Sequence, residues 1–329
     1  MLWLTDRPDT TAAFLPPGGL WSPAWAGDLP PGPRAAWGLL GAGARCWRFQ
    51  DFPDTALERC AILIDDAPAS QFEILQTALR SGIDLPDGSI ALALTGSRFR
   101  GQRQRGWTAA RGNLHLVAHY RLDLPAAATE AAAIMLPAVA AIESIERVSE
   151  GRCAPAIKWV NDLILPAGKV AGVLTSTQIE DERIVRALFG IGVNLERAPC
   201  LPATAFAPRA AALTEIDPTL RGKLPELFAA LMAVLDFEVE SLRQPGATDL
   251  YPRYRARSAC IGREVALWPC ACDDLERSPP LAQGRVRDLL PDLSLVLEGR
   301  TEPVRNARLA LLPTPRGRSE TPSAHHGTI

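Results

Sequence analysis

From Cys60 onward, apolar and polar positions alternate in short runs separated by longer helical repeats. CAILIDD (60–66) reads as a short buried strand ending in acids. In SQFEILQTALRSG (70–82), Phe72, Ile74, Leu75 and Leu79 fall at mostly helical spacing, with Ser70 as N-cap and Gly82 as stop. SIALAL is a second strand and runs into the Arg-dense segment GSRFRGQRQRGW, and GNLHLVAHYRL alternates as a third strand. The Ala-rich PAAATEAAAIMLPAVAAIESIERV predicts a helix kinked at Pro137. AIKWVNDLIL and VAGVLTSTQIE predict two strands around the turn PAGK, and VRALFGIGVNL predicts another. LPELFAALMAVLDFEVESL predicts an amphipathic helix of about five turns. Near Tyr254 the texture changes: CIGREVALW, QGRVRDLL, LSLVLEG and ARLALL are closely spaced strands, as in a small barrel.

The first 59 residues carry no sustained period and are rich in Pro, Gly, Ala and Trp. They read as an irregular, weakly ordered extension, without the paired helices of a helix-turn-helix DNA reader. The expected organisation is this extension (1–59), a catalytic domain (60–252), a small barrel domain (253–312) and a disordered polar tail (313–329).

The chain has 329 residues, 47% hydrophobic and 22% charged, the balance of a globular protein. Its 35 basic against 37 acidic side chains exclude a global attraction to nucleic acid or anionic membrane. No uninterrupted apolar run approaches the roughly 18 residues of a membrane span, and the N-terminus does not read as a secretory signal. The seven cysteines match no zinc spacing; Cys270 and Cys272 are close but have no second ligand pair, so reduced thiols in a cytoplasm and no metal site are expected.

Three segments carry candidate chemistry. Arg98, Arg100, Arg103 and Arg105 fall within eight positions after an apolar strand, with Gly101 and Gly106 between and beside them. Guanidinium forks grip carboxylate or phosphate, and glycines let backbone N–H groups approach an anion. The alternatives are a solvated basic loop, or an Arg/Gly strip touching RNA with Phe99 and Trp107 as stacking platforms. Lys158 sits in an otherwise apolar strand and needs an anionic partner unless its head reaches water; Asn161-Asp162 reads equally as a turn. Gly172 and the run Gly190-Ile191-Gly192-Val193-Asn194 place glycines inside apolar strands, as a flat ligand on the sheet or tight packing requires.

In order, these pieces resemble the biotin protein ligase family, within the biotin/lipoate ligase superfamily. The likeness runs from about Asp66 to Leu312. It rests on Arg100-Gly101 with Arg103, Arg105 and Trp107; Gly112-Asn113-Leu114; Lys158-Trp159-Val160-Asn161-Asp162; Lys169-Val170-Ala171-Gly172-Val173-Leu174; and Gly190 to Asn194. Gly262-Arg263-Glu264-Val265 and Arg308-Leu309-Ala310-Leu311 resemble the family's small barrel.

The resemblance implies an α/β (α+β) fold: a mixed sheet flanked by helices, like the class II aminoacyl-tRNA synthetase-type ligase core, followed by an SH3-like β-barrel. It implies an ATP-dependent ligase that makes biotinyl-5′-adenylate and transfers biotin to a lysine of a biotin carboxyl carrier domain. Mg2+ is expected with ATP, and no DNA or membrane partner. Lys158 and Arg100 are then the catalytic pair. Ser70, Arg100, Gly101, Gln102, Lys158 and Gly172 are the biotin-binding set, and Arg103, Arg105, Trp107, Asn161 and Asn194 hold the nucleotide. The loop departs from the family pattern: Phe99 replaces a first glycine, and Gln102 and Gln104 replace an arginine and a glycine. Only Ser70 of Pro68-Ala69-Ser70 keeps a polar side chain where the family has Ser-Thr-Asn. A lipoate- or octanoate-type ligase, or a weakly active family member, is the alternative enzyme reading.

Overall fold

The computed structural model describes residues 1–40, 43–50, 59–102, 105–200, 204–206, 209–244, 246, 249–270 and 278–313. The chain divides into two compact units, Met1–Ala259 with Pro291–Leu293, and Cys260–Leu290 with the chain from Ser294 onward.

In the first unit the strands are β1 (Leu2–Thr5), β2 (Ser22–Trp25), β3 (Arg45–Gln50), β4 (Cys60–Ala67), β5 (Ser89–Arg100), β6 (Gly106–Ala109), β7 (Leu114–Pro125), β8 (Ala156–Lys158), β9 (Asp162–Leu165), β10 (Gly168–Glu180) and β11 (Arg183–Val193). They form one eleven-stranded sheet in the order β2-β3-β1-β4-β5-β7-β11-β10-β9-β8, with β6 paired to β5. β1, β4 and β5 run parallel and the remaining pairs are antiparallel, so the sheet is mixed, as expected. The helices are α1 (Pro8–Thr11), α2 (Pro31–Leu39), α3 (Gln71–Arg80), α4 (Ala126–Val148), α5 (Leu224–Arg243) and α6 (Leu250–Ala256).

The expectation of an irregular N-terminal appendage is corrected. Leu2–Thr5 lies alongside β4 in register, Leu2 opposite Cys60 and Thr5 opposite Leu63, with all four residues buried. Trp37 on α2 is fully buried, and its Nε1–H donates to the Gly43 carbonyl at 2.9 Å. At roughly 25 cal/mol per Å2, burying an indole of about 200 Å2 contributes about 5 kcal/mol of transfer free energy. A strand buried on both faces shows no alternation, which is why a four-residue run such as LWLT is silent to pattern reading.

α4 keeps its helical course through Pro137. A proline cannot donate to the carbonyl four residues back. Here that carbonyl, of Ala133, accepts a hydrogen bond from the Thr175 hydroxyl of β10 at 3.2 Å. α4 is long and apolar enough to cross a membrane by length and composition, yet 72% of its most apolar stretch is buried within the protein, as in a core helix. α3 begins after Ser70, whose side chain makes no capping bond, and the chain leaves it through Gly82 at φ +87°. That left-handed conformation favours glycine.

In the second unit, β12 (Glu264–Pro269), β13 (Ala282–Leu289), β14 (Leu295–Leu297) and β15 (Ala307–Leu311) form a four-stranded antiparallel sheet in the order β14-β13-β12-β15. Val265, Leu267, Val286, Leu295 and Leu309 fill its core. The expected tail lies almost wholly outside the described residues. Six cysteines among the described residues form no disulfide, and Cys272 lies outside them.

Candidate active site

The sequence pattern KWVNDLIL is split. β8 ends at Lys158, the chain turns through Trp159–Asn161, and β9 starts at Asp162, so the turn reading of Asn161-Asp162 holds. The turn is pinned by the buried Tyr254 of α6, whose hydroxyl donates to the Val160 carbonyl at 2.5 Å. α6 is itself tied down by Arg253, which donates to the buried Glu238 of α5 at 2.7 and 2.8 Å and to Glu143 of α4 at 2.6 Å.

Register then aligns the functional candidates. Lys158 lies opposite Asp162, Asp162 opposite Gly172, Gly172 opposite Gly192, Gly192 opposite His115, and His115 opposite Ala93. Residues directly opposite in antiparallel pairs point to the same face, so this row crosses five strand boundaries on one side of the sheet. Its two glycines flatten the middle of that face. The space is taken by aromatic rings: a Cβ on Gly192 would lie 2.5 Å from the Trp107 indole, and one on Gly190 would lie 2.8 Å from the Phe72 ring.

A cavity of about 70 Å3 opens over this floor. Ser70, Arg100, Gly101 and Gln102 contribute to its wall, as do Trp107, Asn161 and Gly172, so most sequence-derived site residues converge. Three do not line it. Arg105 is exposed elsewhere on the loop. Asn194 is buried, with its Oδ1 unpartnered and its Nδ2 donating to the Lys169 carbonyl at 3.4 Å. Lys158 is only 4% exposed and stands in the row beside Asp162, not in the wall. Arg103 lies outside the described residues. Gly101 N–H donates to the Arg105 carbonyl at 2.7 Å, closing the hairpin between β5 and β6. Arg98 is turned away: at φ +53° its guanidinium donates twice to the Pro68 carbonyl, at 3.0 and 2.9 Å.

The lining amine is Lys169, which sequence reasoning quoted in a motif but did not assign to the site. Its Nζ is 2.5 Å from Asp162 Oδ1 and 5.6 Å from the centre of the Trp107 ring, a cation–π arrangement. His115 was missed as well. It follows Asn113-Leu114 on an alternating strand, and its phase against the Gly-x-Gly strand is the signal that could have placed it. Burial lowers the His115 imidazole to about 4, so it is neutral at pH 7. Phe99 packs edge-on against it, with ring centres 5.9 Å apart. Among the described residues, no carboxylate lines the cavity. Among the described residues, no group of three or more His, Cys, Asp or Glu side chains is placed to hold a metal.

An Arg/Gly loop thus stands beside a flattened, apolar face of a mixed α/β sheet. Comparison with solved structures identifies its fold as that of the biotin protein ligases. The biotin protein ligase of Aquifex aeolicus in complex with biotin and ATP superposes with a TM-score of 0.59 at 17% identity, covering 77% of this chain and 99% of that one. In sequence, the bifunctional ligase/repressor BirA of Bacillus subtilis is 31% identical over 115 residues, which is 35% of this chain and 34% of the relative. The matched stretch thus spans about a third of that relative's length. The biotin–[acetyl-CoA-carboxylase] ligase of Mycobacterium tuberculosis is 27% identical over 234 residues, 69% of this chain and 77% of the relative. No protein-family profile matches the chain. The resemblance read from the motifs is thus present both in sequence and in fold.

Proposed function

We propose that the chain is a biotin protein ligase. A biotin carboxylate oxygen attacks the α-phosphorus of ATP, forming biotinyl-5′-adenylate and releasing pyrophosphate. A carrier lysine amine then attacks the acyl carbon, AMP departs and the amine proton goes to solvent. Two anions must be brought together in the first step, which requires fixed positive charge at the reacting oxygens. Arg100 and the Gly101 backbone are assigned to the carboxylate and α-phosphate, and Lys158 to the charge that develops between them. Ser70, Gln102 and Gly172 are assigned to biotin. Arg103, Arg105, Trp107, Asn161 and Asn194 are assigned to the nucleotide, the orphaned Asn194 Oδ1 being suited to an amino group. Magnesium would accompany the ATP phosphates. The acceptor is a lysine on a biotin carboxyl carrier domain, and cysteines outside any disulfide among the described residues suit a reducing cytoplasm.

The observation that carries this reading is the convergence of Arg100, Gly101, Asn161 and Gly172 on one cavity, with Lys158 in the same sheet row. The test is intact-mass measurement of a carrier domain incubated with the protein, ATP and biotin, lipoate or octanoate in turn. A biotin-only mass increase that disappears in Lys158→Ala supports the assignment. Transfer of lipoate or octanoate instead moves the protein to the other branch, and near-normal activity in Lys158→Ala removes Lys158 from the mechanism.

A further inference from the structure

Lys169 stands at a break in the pairing of β10. It lies opposite Ile164 of β9, while Ala171 lies opposite Leu163, so Val170 is an extra, bulged residue. On the other flank β11 ends at Val193, opposite Ala171, and does not reach Lys169. The segment 209–211 takes its place. The Lys169 N–H donates to the Arg209 carbonyl at 2.8 Å, and the Lys169 carbonyl accepts from the Ala211 N–H at 2.9 Å. The approach is close enough to require glycine at the preceding position: Gly168 is at φ +143°, and a Cβ there would lie 2.2 Å from the Arg209 carbonyl oxygen. This strap is stapled by a single side chain. Glu215 Oε1 accepts from the Ala212 N–H and Oε2 from the Arg209 guanidinium, both at 2.8 Å, one bond at each end of the stretch that holds Lys169. Those bonds, the Ala212 N–H foremost, hold the Glu215 carboxyl below its ordinary range, so it is charged at pH 7.

We infer that Glu215 is a positioning residue of the cavity: it closes the 209–215 strap, whose two backbone bonds fix where the Lys169 side chain enters the site. The Lys169 ammonium reaches over the glycine floor. A Cβ on Gly172 would lie 3.2 Å from its Nζ, and Asp162 anchors it at 2.5 Å. Among the described residues, Lys169 is the one lysine that lines the cavity. A bulge aims a side chain through the backbone rather than through packing. Freeing the backbone at this point lets the ammonium leave the floor, and an anionic ligand lying there loses a fixed charge. Glu215 itself does not line the cavity, and its side chain is 37% exposed. The inference deepens the proposed function by naming a residue that sets the site's cation from outside, and its binding arm rests on that reading.

The experiment uses the full chain and two readouts. The first needs no ligand. The chain's only lysines are Lys158, Lys169 and Lys223, so limited acetylation with acetic anhydride, read by peptide mass spectrometry, reports each amine separately. The second is calorimetric titration with biotin. Glu215→Ala removes both staple bonds from a partly exposed position. Glu215→Gln keeps an acceptor for the Ala212 N–H and serves as the conservative rescue. Lys169 is expected to be acetylated at least about threefold faster in Glu215→Ala, and within about 1.5-fold of wild type in Glu215→Gln. Lys158, only 4% exposed, is the control: it stays unreactive in all three proteins, whereas a general loosening of the fold exposes both amines. Biotin is expected to bind Glu215→Ala about 3- to 10-fold more weakly than wild type, the range set by weakening one charge-assisted contact, and Glu215→Gln within about twofold. Lys169 acetylation that is unchanged in Glu215→Ala, that rises together with Lys158, or that Glu215→Gln fails to restore overturns the positioning role. Faster acetylation with unchanged or tighter biotin binding overturns its bearing on the ligand. Absence of biotin binding by the wild type refutes the ligase reading, and Glu215 is then judged by acetylation alone.

Discussion

Acidification is expected to unfold this protein through two histidines before its carboxylates protonate. His115 and His119 sit on β7, both buried, and burial lowers each imidazole from 6.5 to about 4. In the unfolded chain each binds its proton near 6.5. Between pH 6.5 and 4 the unfolded state therefore holds more protons than the folded one, so stability falls as pH falls across that window. At 1.36 kcal/mol per pH unit, the interval corresponds to roughly 3 kcal/mol for each histidine, a large share of a typical total of about 5–15 kcal/mol. The Asp6 carboxyl, raised chiefly by burial, works in the opposite sense at the acid end of the window. The assay is urea unfolding followed by circular dichroism at half-unit steps from pH 7 to 4, with imidazole proton shifts recorded in parallel. His119→Phe removes one of the two contributions and should halve the acid slope. His115 and His119 imidazoles titrating near 6.5 in the folded state, or a urea midpoint flat from pH 7 to 4.5, would refute the reasoning.

Thr175→Val removes the hydroxyl that satisfies the Ala133 carbonyl freed by Pro137. It should cost about 1–3 kcal/mol in urea unfolding, the penalty of an orphaned buried acceptor. Arg253→Met leaves the fully buried Glu238 carboxylate without its fork, and a loss of about 3–5 kcal/mol is expected in the same assay. Gly192→Ala drives a methyl to 2.5 Å from the Trp107 ring; a stability loss of about 1–3 kcal/mol and faster exchange of the Trp107 indole proton are expected.

The mixed sheet and its flanking helices were legible where long, periodic elements carried them. β7, β10 and β11 alternate or run apolar over eleven to thirteen residues, and α4 and α5 are long enough to show their repeats. The loop residues Arg100 to Gln102 and the floor glycine Gly172 were found because glycine in an apolar strand and arginine in a turn each need a reason. Lys169 and His115 escaped because their roles arise from register. Only pairing across three strands brings positions 115, 172 and 192 into one row, and no local pattern encodes that. Lys158 was legible as a lysine among apolar neighbours, but its withdrawal from the cavity wall depends on the turn at Trp159–Asn161, which splits what reads as one strand. Strands β1 and β3 escaped for a different reason: Pro- and Gly-rich spacers separate them, and β1 is too short and too fully buried to show a phase.

That opening strand carries a practical consequence. β4, with its run Cys60–Ile64, has bare backbone amides and carbonyls on one flank that β1 now occupies. Trimming the protein back to Cys60, as its composition invites, would uncover an adhesive apolar border able to recruit strands from neighbouring molecules. With the first fifty residues in place, the sheet instead terminates at β2, where Ser22 and Pro23 make a poor template for self-assembly.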